Sequence, residues 1–378
     1  MKVVILGPWA PQPDGLASHS GRLATAMIAQ GHDVLAISTA QRGEATEEAT
    51  CEGRLRAARV LGYLATGRAR RHLKVFDPDV VIVQFAISAA AMHLISTLSM
   101  IRWLGRSDRR LVITSHEAAR EGNRLGALSR LIYRFALTRG RVVVFSPNAK
   151  EAVLELCPRL VDADVALVPH GCEVAQDINP DDRSRVADRY DVRSDSVLAL
   201  GFTHPDKGTD IIVRSIVERQ TRLASHLVVA GAVRKRTGLF RLMGRADEAF
   251  AERVNQLSQL DPDHVRFCGY VPDDDVQALL ATAGVVALPY TNTTQSGVAA
   301  MALTAGACVV ASDLPGLRFG LGDAALFVPV GDPRALGAAI DEVLGNPTLS
   351  EQLRERAKAL SAEDSYDKVA ESILDLGA

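Results

Sequence analysis

Short runs of β-branched and apolar residues alternate with longer stretches of helical period along most of the chain. In the first half the runs fall at 2–7, 33–39, 79–85, 109–115, 141–146 and 164–169. Most are continuously apolar, as strands are when helices cover both faces of a parallel sheet. Helical stretches fit between them; one spans 18–30 and stops at Gly31. The segment 176–195 breaks the pattern, being polar and charged around Pro180 with no long apolar run. A second alternation follows, with strands at 196–201, 226–231, 265–269, 284–289, 308–312 and 325–330, then helical stretches at 333–344 and about 350–376. This order predicts an α/β chain of two tandem doubly wound, Rossmann-like domains. They are placed at 1–175 and 190–360, facing across a cleft at the carboxyl ends of their strands. A C-terminal helix at 361–378 is expected to pack back toward the first domain.

Composition narrows the class. Of 378 residues, 47% are hydrophobic and 23% charged, which is ordinary for a folded soluble protein and excludes a disordered chain. Low-complexity segments and short-period repeats are absent. The apolar run after Met1 is too short for a secretory signal. Two stretches, 80–101 and 276–312, lack Asp, Glu, Lys and Arg. Polar residues interrupt both, Gln84 and His93 in one and Pro289, Asn292 and Gln295 in the other, so they read as buried strand–helix segments rather than membrane spans. The cysteines, Cys51, Cys157, Cys172, Cys268 and Cys308, show no CxxC spacing, and suggest free thiols in a reducing cytoplasm rather than a zinc site or disulfides. The net charge of −2 hides an asymmetry: residues 1–172 carry 22 Lys+Arg against 15 Asp+Glu, or +7, and the remainder 21 against 30, or −9. A basic first half suits an anionic partner.

Three segments carry candidate chemistry. Pro13-Asp14-Gly15-Leu16-Ala17-Ser18 follows the first strand. Its glycine permits close backbone approach to a ligand, and Ser18 suits a helix N-cap, where amides favour anions. The same residues also make an ordinary strand-to-helix turn. The full Rossmann glycine pattern is missing, so a dinucleotide is not indicated. Gly201-Phe202-Thr203-His204-Pro205-Asp206-Lys207-Gly208 follows the first strand of the second domain and opens a helix. Lys207 is placed there either to meet a phosphate or to stand solvated in a turn. Thr293-Thr294-Gln295-Ser296-Gly297-Val298 precedes an apolar helix. These small hydroxyl residues and the glycine suit an amide nest for a pyrophosphate or a sugar, with Ser296 as a plain N-cap the simpler alternative.

In this order and spacing the sequence resembles the nucleotide-sugar glycosyltransferases of the two-domain GT-B fold, in particular glycosyltransferase family 4. The resemblance covers nearly the whole chain. It runs through Gly15-Leu16-Ala17-Ser18, Gly31-His32-Asp33-Val34, Asp79-Val80-Val81-Ile82-Val83, Thr114-Ser115-His116-Glu117 and Val168-Pro169-His170-Gly171. It continues through Phe202 to Gly208, Val265 to Pro272, and Gly306 with Val309-Val310-Ala311-Ser312-Asp313. It implies that Lys207 binds the donor diphosphate and that the backbone of Tyr270 and Val271 borders the nucleobase. It implies further that Gly15 and Leu16 approach the donor phosphate and sugar, and that His116 lies near the transferred sugar. Phe202, Thr293, Thr294, Gln295, Ser296, Gly297 and Val298 complete the implied donor site.

The sequence departs from the family's habit in places. Phe202 stands where an arginine is common, and Thr293 and Met301 stand where a pair of glutamates is usual. Gln295 and Ser296 are polar enough to substitute in part. The resemblance implies retaining transfer from a nucleoside-diphosphate sugar, UDP- or GDP-linked, to a glycan, lipid-linked or small-molecule acceptor. No cofactor and no metal are expected, and the departing phosphate itself takes the acceptor's proton.

The Asp-x-Asp pairs Asp77/Asp79, Asp162/Asp164 and Asp261/Asp263 each precede a predicted strand, so they read as solvated turn residues away from the cleft, not as metal ligands. Basic helices over 53–74 and 102–141 suit anionic lipid head groups or a lipid-linked diphosphate, or form a solvated arginine-rich face. Tyr63 is the sole aromatic in the first basic stretch, so nucleic acid is not expected. The expected location is the cytoplasm, with peripheral contact at the inner membrane face. Two other classes stay open. One is a non-catalytic sugar-nucleotide binder or assembly partner, favoured by Phe202, Thr293 and Met301. The other is a sugar-nucleotide epimerase, for which His116 and Glu117 are the titratable groups.

Overall fold

The structure is a computed structural model that describes residues 1–10, 15–39, 50–61, 66–90, 93–117, 126–231 and 241–376. Pro13, Asp14, Tyr63 and Glu121 lie outside these residues. The chain divides into two compact units, Met1–His170 with Tyr366–Ala378, and Gly171–Ser365.

The first unit runs β1 (Lys2–Leu6), α1 (Gly15–Ala29), β2 (Asp33–Thr39), β3 (Thr50–Glu52), β4 (Leu55–Leu61), α2 (Gly67–Phe76), β5 (Val80–Phe85), α3 (Ile87–Ala90), α4 (Leu94–Leu104), β6 (Arg110–Ser115), α5 (Gly126–Leu137), β7 (Arg141–Val144), α6 (Pro147–Leu156) and β8 (Val165–Leu167). Its described strands form one sheet in the order β3-β4-β2-β1-β5-β6-β7-β8, parallel except for β3 against β4. Alternate residues serve opposite cores. Val4, Leu6, Val81 and Val83 pack with α2, α4 and α5, while Val3, Ile5, Val80 and Ile82 pack with Leu23 and Met27 of α1. Burial on both faces is why these strands read as unbroken apolar runs.

The second unit runs α7 (Pro180–Tyr190), β9 (Val197–Leu200), α8 (Thr209–Val217), β10 (Leu227–Ala230), α9 (Arg241–Ser258), β11 (Val265–Gly269), α10 (Asp273–Thr282), β12 (Val285–Leu288), α11 (Gly297–Thr304), β13 (Val309–Ser312), α12 (Pro315–Leu321), β14 (Ala325–Val328), α13 (Pro333–Gly345) and α14 (Pro347–Glu363). Its described strands form a parallel sheet in the order β11-β10-β9-β12-β13-β14. Here too Leu198, Val228 and Val286 face one core, and Val197, Leu227 and Val285 the other. The final helix, α15 (Tyr366–Asp375), belongs to the first unit and packs on α1. Each sheet reverses its winding once, between β1 and β5 and between β9 and β12. Such a point opens a crevice outside the carboxyl ends of the strands.

The structure differs from the sequence expectation in four places. The basic stretch over 53–74 is not all helix: Leu55–Leu61 is β4, paired in parallel with β2. It lies near the sheet edge, where Ala58, Val60 and Leu61 are buried, Arg56 is exposed and Arg59 donates to the Ala10 carbonyl at 3.4 Å. The polar segment 176–195 holds α7 inside the second unit, with Val186 and Tyr190 buried and the Tyr190 hydroxyl donating to Asp275 at 2.6 Å. The stretch 350–376 is two helices, broken at Asp364 and Ser365. The aspartates before the strands are solvated in part, Asp77 and Asp162 being mostly exposed, yet five of the six also make ion pairs or amide bonds. Asp77 pairs with Arg109 and Asp164 with Arg141, each at 2.9 Å, Asp162 pairs with Lys150 at 2.8 Å, and Asp261 pairs with Arg219 at 2.9 Å. Asp79 accepts the Lys2 amide at 2.8 Å. Asp77, Asp79 and Asp164 thereby tie neighbouring strand starts together, while Asp162 and Asp261 tie a strand start to a helix or its end.

Ile373 of α15 is fully buried in the core that α1 and β1 share. Ile373→Ala is expected to destabilise the first unit by about 2–5 kcal/mol. Urea unfolding followed by a probe in that unit measures the loss.

Candidate functional site

In the second unit, the candidate residues converge on the carboxyl edge of the sheet. Beyond β9 the chain makes a single 3₁₀ turn, Pro205–Lys207, and Gly208, with φ 62°, then caps α8. A Cβ on Gly208 would fall 1.8 Å from the Pro289 carbonyl oxygen, so only glycine lets this turn rest on the end of β12. The Thr291 amide donates to the Asp206 carbonyl at 3.0 Å and ties the turn down. The ammonium of Lys207 lies 3.7 Å from the centroid of the buried Tyr290 ring. An aromatic face attracts the cation without consuming its N–H donors, which leaves them for an anion.

The segment before α11 lies beside this lysine's aromatic support. Ser296 Oγ accepts the Ala299 amide at 3.2 Å and sits 3.3 Å from the Tyr290 hydroxyl. Ser296 is therefore the N-cap of α11, the simpler of its two sequence readings. Thr293, Thr294 and Ser296 are buried, and Gly297 and Val298 form the first turn of the helix. Met301, one of the two positions where the family commonly has glutamate, packs against the core and supplies no polar group. Phe202 follows β9 and is half exposed. After β11, Val271 is buried and the Tyr270 ring is 70% exposed.

In the first unit, Gly15 opens α1 rather than lying in a loop, and Leu16 follows it in the first turn. Ser18 is not the N-cap, since the helix has already begun three residues earlier; its side chain is exposed. His116 follows β6 directly and is buried. Its Nε2 lies 2.6 Å from Gln84 Oε1, which also accepts the Thr114 hydroxyl at 2.7 Å. Around it stand two histidines to which the sequence reading gave no role. The ring of His19, from α1, is centred 5.3 Å from His116 and 4.8 Å from His170, and Phe145 lies 4.8 Å from His116. The Tyr366 hydroxyl of α15 is 3.5 Å from His19 Nδ1. His170 was visible in the Val168-Pro169-His170-Gly171 motif, but nothing local in the sequence joins it to His19, 151 positions earlier.

Burial, with the nearby His170 as a lesser cause, pushes His116 down to about 3, and burial likewise drives His19 well below its ordinary value. Both rings are neutral at pH 7. Neutral imidazoles hydrogen-bond hydroxyls without attracting counter-ions, which suits a sugar rather than a phosphate. Among the described residues no group of three or more His, Cys, Asp or Glu side chains is arranged to hold a metal ion. Cys157, Cys172, Cys268 and Cys308 are free thiols, and no described helix is long and apolar enough to cross a membrane.

The buried histidines set a pH dependence. An unfolded histidine titrates near 6.5, so below that pH the unfolded chain binds protons that the folded one refuses. Stability is expected to fall as the pH drops from 6.5 toward about 3, by roughly 1.4 kcal/mol per pH unit from His116, and His19 acts in the same direction. His116→Gln removes one proton's worth of that slope. Unfolding free energies of both proteins between pH 7 and pH 4 measure it, and parallel curves would mean that His116 titrates normally in the fold.

Comparison with known proteins fits this arrangement. The family models for Glycosyltransferase Family 4 and Glycosyl transferases group 1 match residues 13–176 and 194–346. A phosphatidyl-myo-inositol mannosyltransferase of Mycobacterium leprae is 26% identical over 381 residues, covering 96% of this chain and 91% of its own. The protein of that name from Mycolicibacterium smegmatis is 28% identical over 192 residues, which is 50% of this chain and 45% of the relative. Among solved structures, the sucrose-phosphate synthase of Thermosynechococcus elongatus matches with a TM-score of 0.76 at 17% identity, over 100% of this chain and 98% of that one. Anabaena HepE, in complex with UDP, matches with a TM-score of 0.71 at 16% identity, over 99% of each chain. With two doubly wound units, a family model on each, and a relative aligned almost end to end, the chain is a glycosyltransferase of the GT-B fold and the family 4 type.

Proposed function

We propose that the chain transfers a sugar, with retention of anomeric configuration, from a UDP- or GDP-linked donor to a hydroxyl of a lipid-linked, glycan or small-molecule acceptor. The observation that carries this reading is Lys207, held on the Tyr290 ring by a turn that only Gly208 allows, at the winding reversal of the second sheet. Its ammonium and the amides opening α11 meet the diphosphate as negative charge develops on it. The bond between the anomeric carbon and the phosphate oxygen breaks, and the acceptor oxygen bonds that carbon on the same face. The acceptor's proton passes to the departing phosphate, so no protein carboxylate is needed as nucleophile. His116, neutral and anchored on Gln84, offers an uncharged imidazole suited to a hydroxyl.

The relatives bear on both substrates. The HepE structure contains UDP. The mannosyltransferases act on phosphatidyl-myo-inositol by name, and further relatives are named D-inositol 3-phosphate glycosyltransferases. An acceptor built on an inositol ring is therefore the first to try. The first unit's surface supports a lipid-borne form of it. Helices α2, α4 and α5 cover one core, and Arg70 of α2 donates to Ser99 of α4 at 3.2 Å. Their outward residues include Arg68, Arg71, Lys74, Arg102, Arg130 and Arg134, with Ile95, Leu128 and Leu131 also exposed. Each basic residue near an anionic bilayer contributes about 1 kcal/mol of attraction.

A panel of UDP-, GDP-, ADP- and TDP-sugars, with and without inositol acceptors, is expected to give turnover of one donor. Lys207→Ala is expected to lower its kcat/KM by about 10²–10³. Undiminished turnover in that variant would remove the lysine from the mechanism. Vesicles containing phosphatidylglycerol are expected to sediment the protein at low salt and release it at high salt. Leu128→Glu with Leu131→Glu should abolish sedimentation, and sedimentation by purely zwitterionic vesicles to the same extent would exclude the electrostatic part.

A further inference from the structure

His204 enters no step above, yet it is built into the turn that carries Lys207. Its Nδ1 accepts the Asp206 amide at 3.1 Å and so caps Pro205–Lys207. A ring nitrogen that accepts carries no proton, which places the proton on Nε2. Nε2 lies 3.3 Å from Oδ1 of Asp247, a buried carboxylate of α9. The Asp206 carboxylate stands 3.7 Å from Nδ1 on the other side. Turns of this kind are ordinarily capped by Ser, Thr, Asp or Asn. Those side chains are too short to touch a neighbouring helix while they cap. The imidazole does both, joining α9 to the backbone from which Lys207 extends.

We propose that His204 is a positioning residue for the donor diphosphate: anchored by Asp247, it fixes the turn that aims Lys207 at the phosphates. This rests on Lys207 as the diphosphate ligand. A lysine stem has four rotatable bonds, and an ammonium on it binds tightly only where the freedom is already removed. Tyr290 restrains the tip of the side chain, and the His204–Asp247 pair restrains its root.

Calorimetric titration with UDP against UMP, and GDP against GMP, identifies the base that the wild-type protein binds. The ratio of monophosphate to diphosphate Kd then reports what the second phosphate contributes. Lys207→Ala is expected to collapse that ratio. His204→Ala is expected to weaken the diphosphate about tenfold while the monophosphate changes less than about twofold. His204→Asn, which caps the turn but does not reach Asp247, should fall between. In the Lys207→Ala background, His204→Ala should add less than about twofold, as two residues acting on one contact do.

Equal weakening of monophosphate and diphosphate by the His204 variants would mark a merely structural role and overturn the proposal. Additive losses in the double variant would also overturn it. A collapsed ratio in Lys207→Ala beside a silent His204→Ala overturns this inference alone. An unchanged ratio in Lys207→Ala, or a wild-type protein that binds no nucleoside diphosphate, overturns the lysine reading and this inference with it.

Discussion

In both sheets the inner strands are apolar on both faces, and helices cover each face. Polar side chains can therefore leave the core only where strands begin or end. At the starts, the aspartates are consumed in ion pairs and amide bonds that tie one strand to the next. At the ends, Gln84, Thr114 and His116 in one unit and the Lys207 turn in the other are held by groups that are themselves buried. The candidate site residues sit at the carboxyl edges because the packing leaves polar groups few other places.

The two units divide the electrostatic work. In the first, burial strips charge from His19 and His116, leaving a polar but neutral lining. In the second, a cation is kept against a ring whose hydroxyl meets the cap of α11. The loss of glutamate at Met301 falls on neither group, since that side chain turns into the core.

Much of the fold was legible because covered parallel strands leave a strong local mark. The predicted runs at 33–39 and 265–269 coincide with β2 and β11, and most others differ by a residue or two at their ends. β4 is not legible because, next to the edge strand β3, it carries two arginines and its buried apolar positions are few. The amphipathic α7 reads in the sequence as a break between domains because only Val186 and Tyr190 are buried in it. The Lys207 turn was legible as a motif. Its support was not, because Tyr290 and Asp247 reach it from other elements across tens of residues. The histidine cluster was legible only in pieces, at His116 and in the motif of His170, for the same reason: His19, His170 and Tyr366 meet through the tertiary fold.

The placement of α15 bears on how the protein is made. The chain leaves the first unit at His170, builds the whole second unit, and returns at Tyr366. On a ribosome, residues 1–170 emerge with one flank of their core unroofed, because Val369, Ile373 and Leu374 have not been synthesised. The second unit has all of its residues before the first has its last helix. Domains generally fold in the order they emerge. Here the order is inverted at the final step: the first unit is begun before the second and closes only after it, when Val369, Ile373 and Leu374 reach its core.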